Sequence, residues 1–477
     1  MHRCVTSPIR KRLAGACLAL GVFLATGMTP AQTAENSVSL TLPQARLLAG
    51  HALETGQPAL ALRLSAGLVR ANPKDPVAHY MQALAYAGLN RNRDGRRAAA
   101  RAYRLTDIGS DRMRAAELAA KLSYAEGRPT LAQIWLRRTA IHAESKEVSQ
   151  QIARDYRILR QRNPWSFSIN AGLRPSDNVN NGSSSRYNTI DGEPDYGLRP
   201  ADAVALSGVI ATLDTMLGYR LRGDRQSATY LLGRLYISRV ALSDSAEALA
   251  PGVSGRKYGS TYGELTLRHA FAIGDPREGN FASVSASLGE SRFGGDRNFY
   301  FARLFGDRTW ALSEASSLTL GVLAEDRFKA KSKANDARVY GLSAVFDHRL
   351  QGGNRLGLSL SLRDVSAQAM NGTYSGASLR GTVTFDKRLG PARVSAGLAL
   401  GATDYPLIAA GLNAFGRVVF APRDDKTIAG DLTFFFEEYD YAGFAPTLTL
   451  QASKTDSNIS IYSARDFSLA LGIKSTF

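Results

Sequence analysis

From Trp165 onward, apolar residues recur at every second position. Trp165, Phe167, Ile169, Ala171 and Leu173 alternate with Ser166, Ser168, Asn170 and Gly172. A period of two gives an extended strand with two different faces. Residues 202–240 hold two longer strands around Gly223-Asp224. The alternation returns at Ala282–Leu288, Leu318–Ala324, Leu356–Leu362, Ala377–Phe385 and Val394–Leu400. It marks about 14 or 15 candidate strands of roughly 9–16 residues, and a single-chain bacterial barrel has an even number, so 14 is expected. One candidate segment within 405–440 then merges with a neighbour or forms a loop.

The partners of the apolar positions are mostly Gly, Ser, Thr and Arg. This suits a closed barrel with an apolar outside and a hydrated or plugged inside. In lipid, every backbone N–H and C=O must be bonded within the chain, and a closed sheet does this without edges. A soluble sandwich also alternates, but rarely sustains long glycine-rich strands over such a length.

Ahead of Asn163-Pro164 the period is helical. Residues 43–54 begin with a proline in the first turn, where it is favoured. Thr55-Gly56 breaks the helix, a second runs from Pro58 to about Arg70, and Asn72-Pro73-Lys74-Asp75-Pro76 ends the pair. Further helices cover about 77–88, 93–105, 111–126, 129–142 and 146–161. The turn glycines Gly56, Gly88 and Gly127 lie 32 and 39 residues apart, near the 34-residue tetratricopeptide period. Small residues such as Ala61 and Ala83 permit close helix packing. The fold class expected is an N-terminal all-α TPR-like solenoid (43–162) followed by a C-terminal all-β transmembrane barrel (163–477), with 14 antiparallel strands.

Residues 1–34 read as a signal peptide. Arg3, Arg10, Lys11 and Arg12 precede the short apolar run Leu13–Leu24, and Ala31-Gln32-Thr33-Ala34 offers a small-residue cleavage region. Both cysteines, Cys4 and Cys17, would leave with it, and Cys17 sits inside the apolar run, which argues against lipidation. The formal charge of +17 falls by four on cleavage. A basic exported chain points to anionic lipid head groups, lipopolysaccharide or an acidic protein client. No zinc finger, stacking motif or compact Arg/Lys block points to nucleic acid.

Candidate chemistry is sparse. The histidines are scattered, and no HExxH, CxxC, P-loop or nucleophile elbow occurs. No enzyme, metal or cofactor is expected. Asp424-Asp425 and Glu437-Glu438 read as strand ends or loops as well as they read as a cation site. The run Arg327 to Lys333 reads as a solvated basic loop or a lipopolysaccharide contact. The clearest candidate contact set for a client is the basic helix carrying Arg93, Arg96, Arg97, Arg101 and Arg104, placed near a concave solenoid face of the kind that binds peptides or protein surfaces.

The end of the chain carries a further signal. Phe467, Leu469, Leu471 and Ile473 alternate and Phe477 is terminal. This resembles the closing-strand signal read by bacterial barrel-assembly machinery, which makes that machinery an expected partner.

Two stretches also resemble a known family. Asn163-Pro164-Trp165-Ser-Phe167-Ser continues to Asp177, Asn178, Asn180 and Asn181. The segment from Gly443 through Pro446 continues to Asp456, Asn458 and Tyr462. With helical repeats ahead of a barrel, they are similar to the surface lipoprotein assembly modifiers, the Slam family. That resemblance implies a periplasmic tetratricopeptide-type domain and a 14-stranded outer-membrane barrel. It also implies delivery of surface lipoproteins, or secreted proteins, to the cell surface, with clients in iron or haem acquisition and with periplasmic chaperones upstream. It makes Trp165 an interfacial anchor and Asn178, Asn180 and Asn181 organisers of the turn or inner wall after the first strand. Two other functional classes fit the residues: a porin or specific solute channel with a periplasmic recruitment domain, and a polysaccharide-export or structural module.

Overall fold

The computed structural model describes residues 39–195, 199–328, 335–439, 441 and 444–475. The signal-peptide segment, Phe477 and most of the basic run 327–333 lie outside the described residues. Seven helices come first: α1 (Leu42–Glu54), α2 (Pro58–Ala71), α3 (Pro76–Gly88), α4 (Asn92–Leu105), α5 (Gly109–Ala125), α6 (Pro129–Ala140) and α7 (Lys146–Arg162). Their starts are written locally. Thr41 and Gln44 form a capping box on α1, Asp75 caps α3, Ser145 caps α7, and proline opens α2, α3 and α6. Left-handed turns fall at Gly56, Asn90 and Gly127. Asn90, rather than Gly88, thus makes the second turn, and it lies 34 residues after Gly56. Gly88 stays helical, pressed against the Pro58 ring.

The helices pack through alanines. Ala83, Ala98, Ala99, Ala116, Ala119 and Trp135 form one buried cluster, flanked by Tyr86, Tyr103 and Leu118. Each helix packs on the next, and α3 also touches both α1 and α5. Alternate helices that approach each other are the inner layer of a curved stack. Helices α1, α3 and α5 therefore form the concave side, and α2, α4 and α6 the outer layer.

Helix α7 stops at Asn163, which stands before Pro164 and is held extended (φ −70°, ψ 125°). Strand β1 (Trp165–Ser176) follows. A long connection, residues 177–207, holds the small hairpin β2 (Thr189–Ile190) and β3 (Glu193–Pro194). Thirteen more wall strands complete the barrel. They are β4 (Gly208–Gly223), β5 (Ser227–Leu242), β6 (Ser260–Ala272), β7 (Phe281–Phe293), β8 (Asp296–Ala311), β9 (Ser316–Phe328), β10 (Ala337–Arg349), β11 (Arg355–Ala367), β12 (Tyr374–Thr384), β13 (Arg393–Leu412), β14 (Val418–Phe435), β15 (Phe444–Ser457) and β16 (Ala464–Ser475). A short helix, α8 (Asp244–Leu249), lies between β5 and β6.

Each wall strand pairs antiparallel with its neighbours, and β1 closes the cylinder on β16 with Ala171 opposite Ile473 and Leu173 opposite Leu471. The barrel has 14 strands. Residues 405–440 hold the ends of two unusually long strands, β13 and β14, so the surplus candidate segment merges into them. An even strand count returns the chain to the end it entered from. The helices and the end of β16 share that helical end. The two longest connections, 177–207 and 243–259, lie at the opposite, loop end. Among the described residues no helix is long and apolar enough to cross a membrane.

Candidate functional site

The outer wall is apolar and uncovered. Leu265, Leu288, Leu304, Leu398 and Leu471 are each more than half exposed. A closed sheet with such an outside is built to sit in lipid. At the helical end Trp165 packs against Tyr219 with ring centroids 4.6 Å apart, the placement expected of an interfacial aromatic. Phe167, Phe467 and Ile473 also face outward and are exposed, while Leu469 is half-buried. Pro446 stands opposite Ile473 on this face.

The inner wall is ionic. Arg234 pairs with Asp214 at 2.7 Å. Arg303 spans Glu325 (2.6 Å) and Glu264 (3.4 Å), and Arg327 also reaches Glu325 at 2.7 Å. Arg268 pairs with Asp307, Arg380 with Asp431, and Arg174 with Asp466. Buried Phe301 stacks on Tyr262 beneath this network, with ring centroids 5.4 Å apart. Further round the wall, Ser361, Arg363 and Ser378 point inward and are exposed. The lumen therefore combines a packed ionic side with an accessible basic one. Of the two acidic pairs, Arg423 holds Asp425 of the first, and Arg388 holds both Glu437 and Glu438 of the second. No metal-binding group of His, Cys, Asp or Glu occurs among the described residues.

At the loop end the connection after β1 lies across neighbouring strand ends, and the asparagines of the first motif organise it. Buried Asn178 donates to the carbonyls of Gly182 (2.9 Å) and Arg465 (2.8 Å) and accepts from Gly182 N. Asn180 donates to Val204 O at 2.7 Å and accepts from Leu206 N at 2.9 Å. Asn181, the next residue, takes a left-handed turn (φ 52°). The hairpin then lies against the β13–β16 ends. Asn188 donates to Ala410 O at 3.2 Å, and Asp195 accepts from Leu412 N at 2.6 Å and from Arg199 at 2.8 Å. Asn458, from the second motif, donates to Asp191 at 3.0 Å and accepts from Asp424 N at 2.9 Å. Tyr462 lies under the Arg423 guanidinium, 3.5 Å from ring centroid to carbon. Asp456 stands on the outer wall in a 2.6 Å pair with Lys454. The cap has its own core of Ile408, Ala410, Ala421 and Ile459. The two motifs, far apart in sequence, thus meet in one structure. Asn188, Asp195 and Arg199 belong to it and carried no sequence signal beyond being polar residues in a loop.

On the other side, Asp202 binds Lys257 and Tyr258 of the connection 243–259. The Lys257 ammonium holds the Asp202 carboxyl below the usual carboxylate range, against the opposing effect of burial. Burial, reinforced by Asp202, pushes the Tyr258 hydroxyl up to about 12.

At the helical end the junction is hydrogen-bonded. Arg220 donates to the carbonyls of Gln161 (3.2 Å) and Arg162 (3.4 Å), and the Arg137 guanidinium lies over the Phe444 ring. On α4 the five arginines divide. Arg96 is largely buried against Glu126 at 2.7 Å. Arg93, Arg97, Arg101 and Arg104 are exposed, and their spacing places them along one helix face. Because α4 is in the outer layer, this stripe faces away from the concave side expected for it. Helical periodicity fixes a face but not which side of a stack that face joins.

No protein-family model matches the chain, and no curated protein matches it. Solved structures give broad likenesses to outer-membrane barrels. The outer membrane channel DcaP of Acinetobacter baumannii shares 13% identity over 66% of this chain and 97% of its own, with a TM-score of 0.36. OprD of Pseudomonas aeruginosa shares 10% over 64% of this chain and 94% of its own, at 0.30. The helical part is similar to SycD, a type III secretion translocator chaperone of Yersinia enterocolitica, at 17% over 27% of this chain and 89% of its own, with a TM-score of 0.24. Scores this low add nothing to the geometry above.

Proposed function

We propose that the protein is an outer-membrane translocation or assembly factor that delivers a surface lipoprotein or secreted protein to the cell surface. The helical domain would face the periplasm and receive the client, and the barrel would provide or shape its exit. The observation that carries this reading is the joining of two surfaces at one end of the barrel. A helical stack with an exposed arginine stripe is hydrogen-bonded to the wall through Asn163 and Arg220. A simple diffusion channel has no use for such a stack. The resemblance of the two cap-forming motifs to surface lipoprotein assembly modifiers supports the same reading. The periplasmic location follows the usual plan of such barrels, with long loops outside the cell and short turns inside. Client folding at the surface, or earlier handling by chaperones, would supply the free energy.

A porin or specific solute channel is the second reading. Inward-facing, exposed Ser361, Arg363 and Ser378 favour it, because they leave part of the lumen open to water. The test compares surface proteomes of cells with and without the gene. Loss of one protein from the surface, with its periplasmic pool retained, is expected. An unchanged surface proteome together with lost solute uptake would overturn the assembly role and favour the channel.

A further inference from the structure

Toward the loop end the outer wall turns from apolar to charged, and over β5–β7 this change brings in arginines. Along β5, β6 and β7, the outward positions nearest mid-barrel are Leu231, Leu235, Leu265, Leu267 and Leu288, all exposed. Four residues farther toward the loop end the same faces carry Arg239, Thr261 and Arg292, with Thr261 directly opposite Arg292 and Arg292 paired with Glu290 at 2.7 Å. Above them the connection 243–259 folds back and leaves a cavity of about 1170 Å³ lined by Arg239, Arg256, Arg292 and one carboxylate, Glu247. Ligand pockets run to roughly 300–1,000 Å³, so a disaccharide-sized head group fits.

The cavity is held in shape. Arg239 is fixed by neutral acceptors, donating to the carbonyls of Ser238 and Ser260 (2.8 Å each) and to Thr261 Oγ1 (3.1 Å). Its charge is thus left for a ligand. Gly255 sits so close to β5 that an added Cβ would be 2.3 Å from Val240 O, so only glycine lets the connection approach. The Arg256 guanidinium packs on Gly295 in the tight β7–β8 turn, where a Cβ would lie 3.1 Å from its nitrogens. Lys257 and Tyr258, the next two residues, are tied to Asp202.

We infer that this cavity binds the phosphorylated head group of an acylated glycolipid of the outer leaflet, with the acyl chains lying on the leucine face below. Guanidinium groups suit phosphate oxygens because they offer several donors in a fixed fork. A free anion would use the arginines but not the leucines, and a neutral lipid the reverse. The arrangement, apolar toward mid-barrel and basic above, matches a molecule with both parts. The inference does not depend on what crosses the barrel.

The experiment uses the purified full chain in detergent, with bound lipid read by native mass spectrometry. The probes are bisphosphorylated lipid A, its dephosphorylated form, and inorganic phosphate as competitor. Bisphosphorylated lipid A is expected to bind at least about tenfold more tightly than the dephosphorylated form, and inorganic phosphate should not displace it. The double variant Arg256→Gln/Arg292→Gln should lose that preference, while Arg277→Gln, in the β6–β7 turn at the helical end, should keep it. Heat-modifiable migration shows that each variant is folded. A second variant, Gly255→Ala, displaces the connection without changing charge and should also weaken binding. Equal binding of the two lipid forms, full displacement by phosphate, or an unaffected double variant would each overturn the inference.

Discussion

The side-chain amide of Asn163 donates to Gln133 Oε1 at 2.8 Å, linking residues thirty positions apart. The same amide donates to Thr130 Oγ1 at 3.1 Å, and its carbonyl accepts from Trp165 N at 3.0 Å. One buried side chain therefore joins the last helix pair to the first residue of the barrel. This gives Asn163-Pro164-Trp165 a physical role: proline ends α7, asparagine locks the exit angle, and tryptophan starts the wall.

Replacing Asn163 by alanine should loosen this junction without preventing barrel closure. Gln133 and Trp165 N would lose their partners, and an unsatisfied buried polar group costs about 1–3 kcal/mol. Trypsin cleavage near Arg160 and Arg162 should become faster, with heat-modifiable migration retained. Unchanged cleavage would show that Arg220 and the Arg137–Phe444 contact suffice.

The α4 arginines should separate by role. Arg96→Ala breaks a largely buried pair with Glu126, a change that costs about 3–5 kcal/mol when the remaining charge stays buried. It should lower the melting temperature of the helical domain. Arg97→Ala and Arg101→Ala should leave it within about 0.5 kcal/mol, as for ordinary surface sites. They should instead weaken association with an acidic client, an effect that fades with salt. Thermal melts and binding at two salt concentrations distinguish the two.

The elements were legible because each is written locally. The alternation of Leu356, Leu358, Leu360 and Leu362 is β11 itself, and the caps and prolines place the helices within a few residues. The lumen network was not legible, because register decides it. Arg380 meets Asp431 across β13, fifty-one positions away, and no local pattern encodes that pairing. Nor did the motif asparagines announce that they meet the start of β16, since Asn178 reaches Arg465 O only once the wall has closed. The arginine helix was recognisable, but its side of the stack depends on which helices touch.

Acid should release the tie between the two long loop-end connections. The Asp202 carboxyl is held below its ordinary value of 3.8, chiefly by Lys257. A depressed carboxyl contributes stability that is complete above the ordinary value and is lost as pH falls through the depressed one. Tyr258 works in the opposite sense: raised to about 12, it contributes fully below about 10 and loses its contribution as pH climbs through 12. The hydrogen-exchange protection factors of residues 243–259, corrected for the intrinsic pH dependence of exchange, should thus be flat between about pH 5 and 9 and fall below about 3.8 and above 10. Asp202→Asn should be loosened already at pH 7 and respond little to acid. If wild type and variant exchange alike at pH 7, the tie does not hold the loop.

The division of labour between the two halves yields the last prediction. Residues 163–477 should insert as a barrel without residues 43–162, yet deliver the client poorly. The wall strands satisfy one another from β1 to β16, and closure requires no helix. The helical stack has its own alanine core around Trp135 and so should fold by itself. Among the described residues, the Asn163 cluster, the Arg220 carbonyl bonds and the Arg137–Phe444 contact join them, and these orient the stack rather than build the wall. Expressing the parts separately and together separates insertion, scored by heat-modifiability, from delivery, scored by protease-accessible client on intact cells. Insertion with delivery restored only by the joined chain would mean that the junction's geometry matters as well as the presence of both parts. Full delivery by the barrel alone would remove the recruitment role. Failure of the barrel alone to insert would mean that the boundary at Asn163 cuts through a folding unit, with Gln133 and Thr130 belonging to the wall's assembly as much as to the stack.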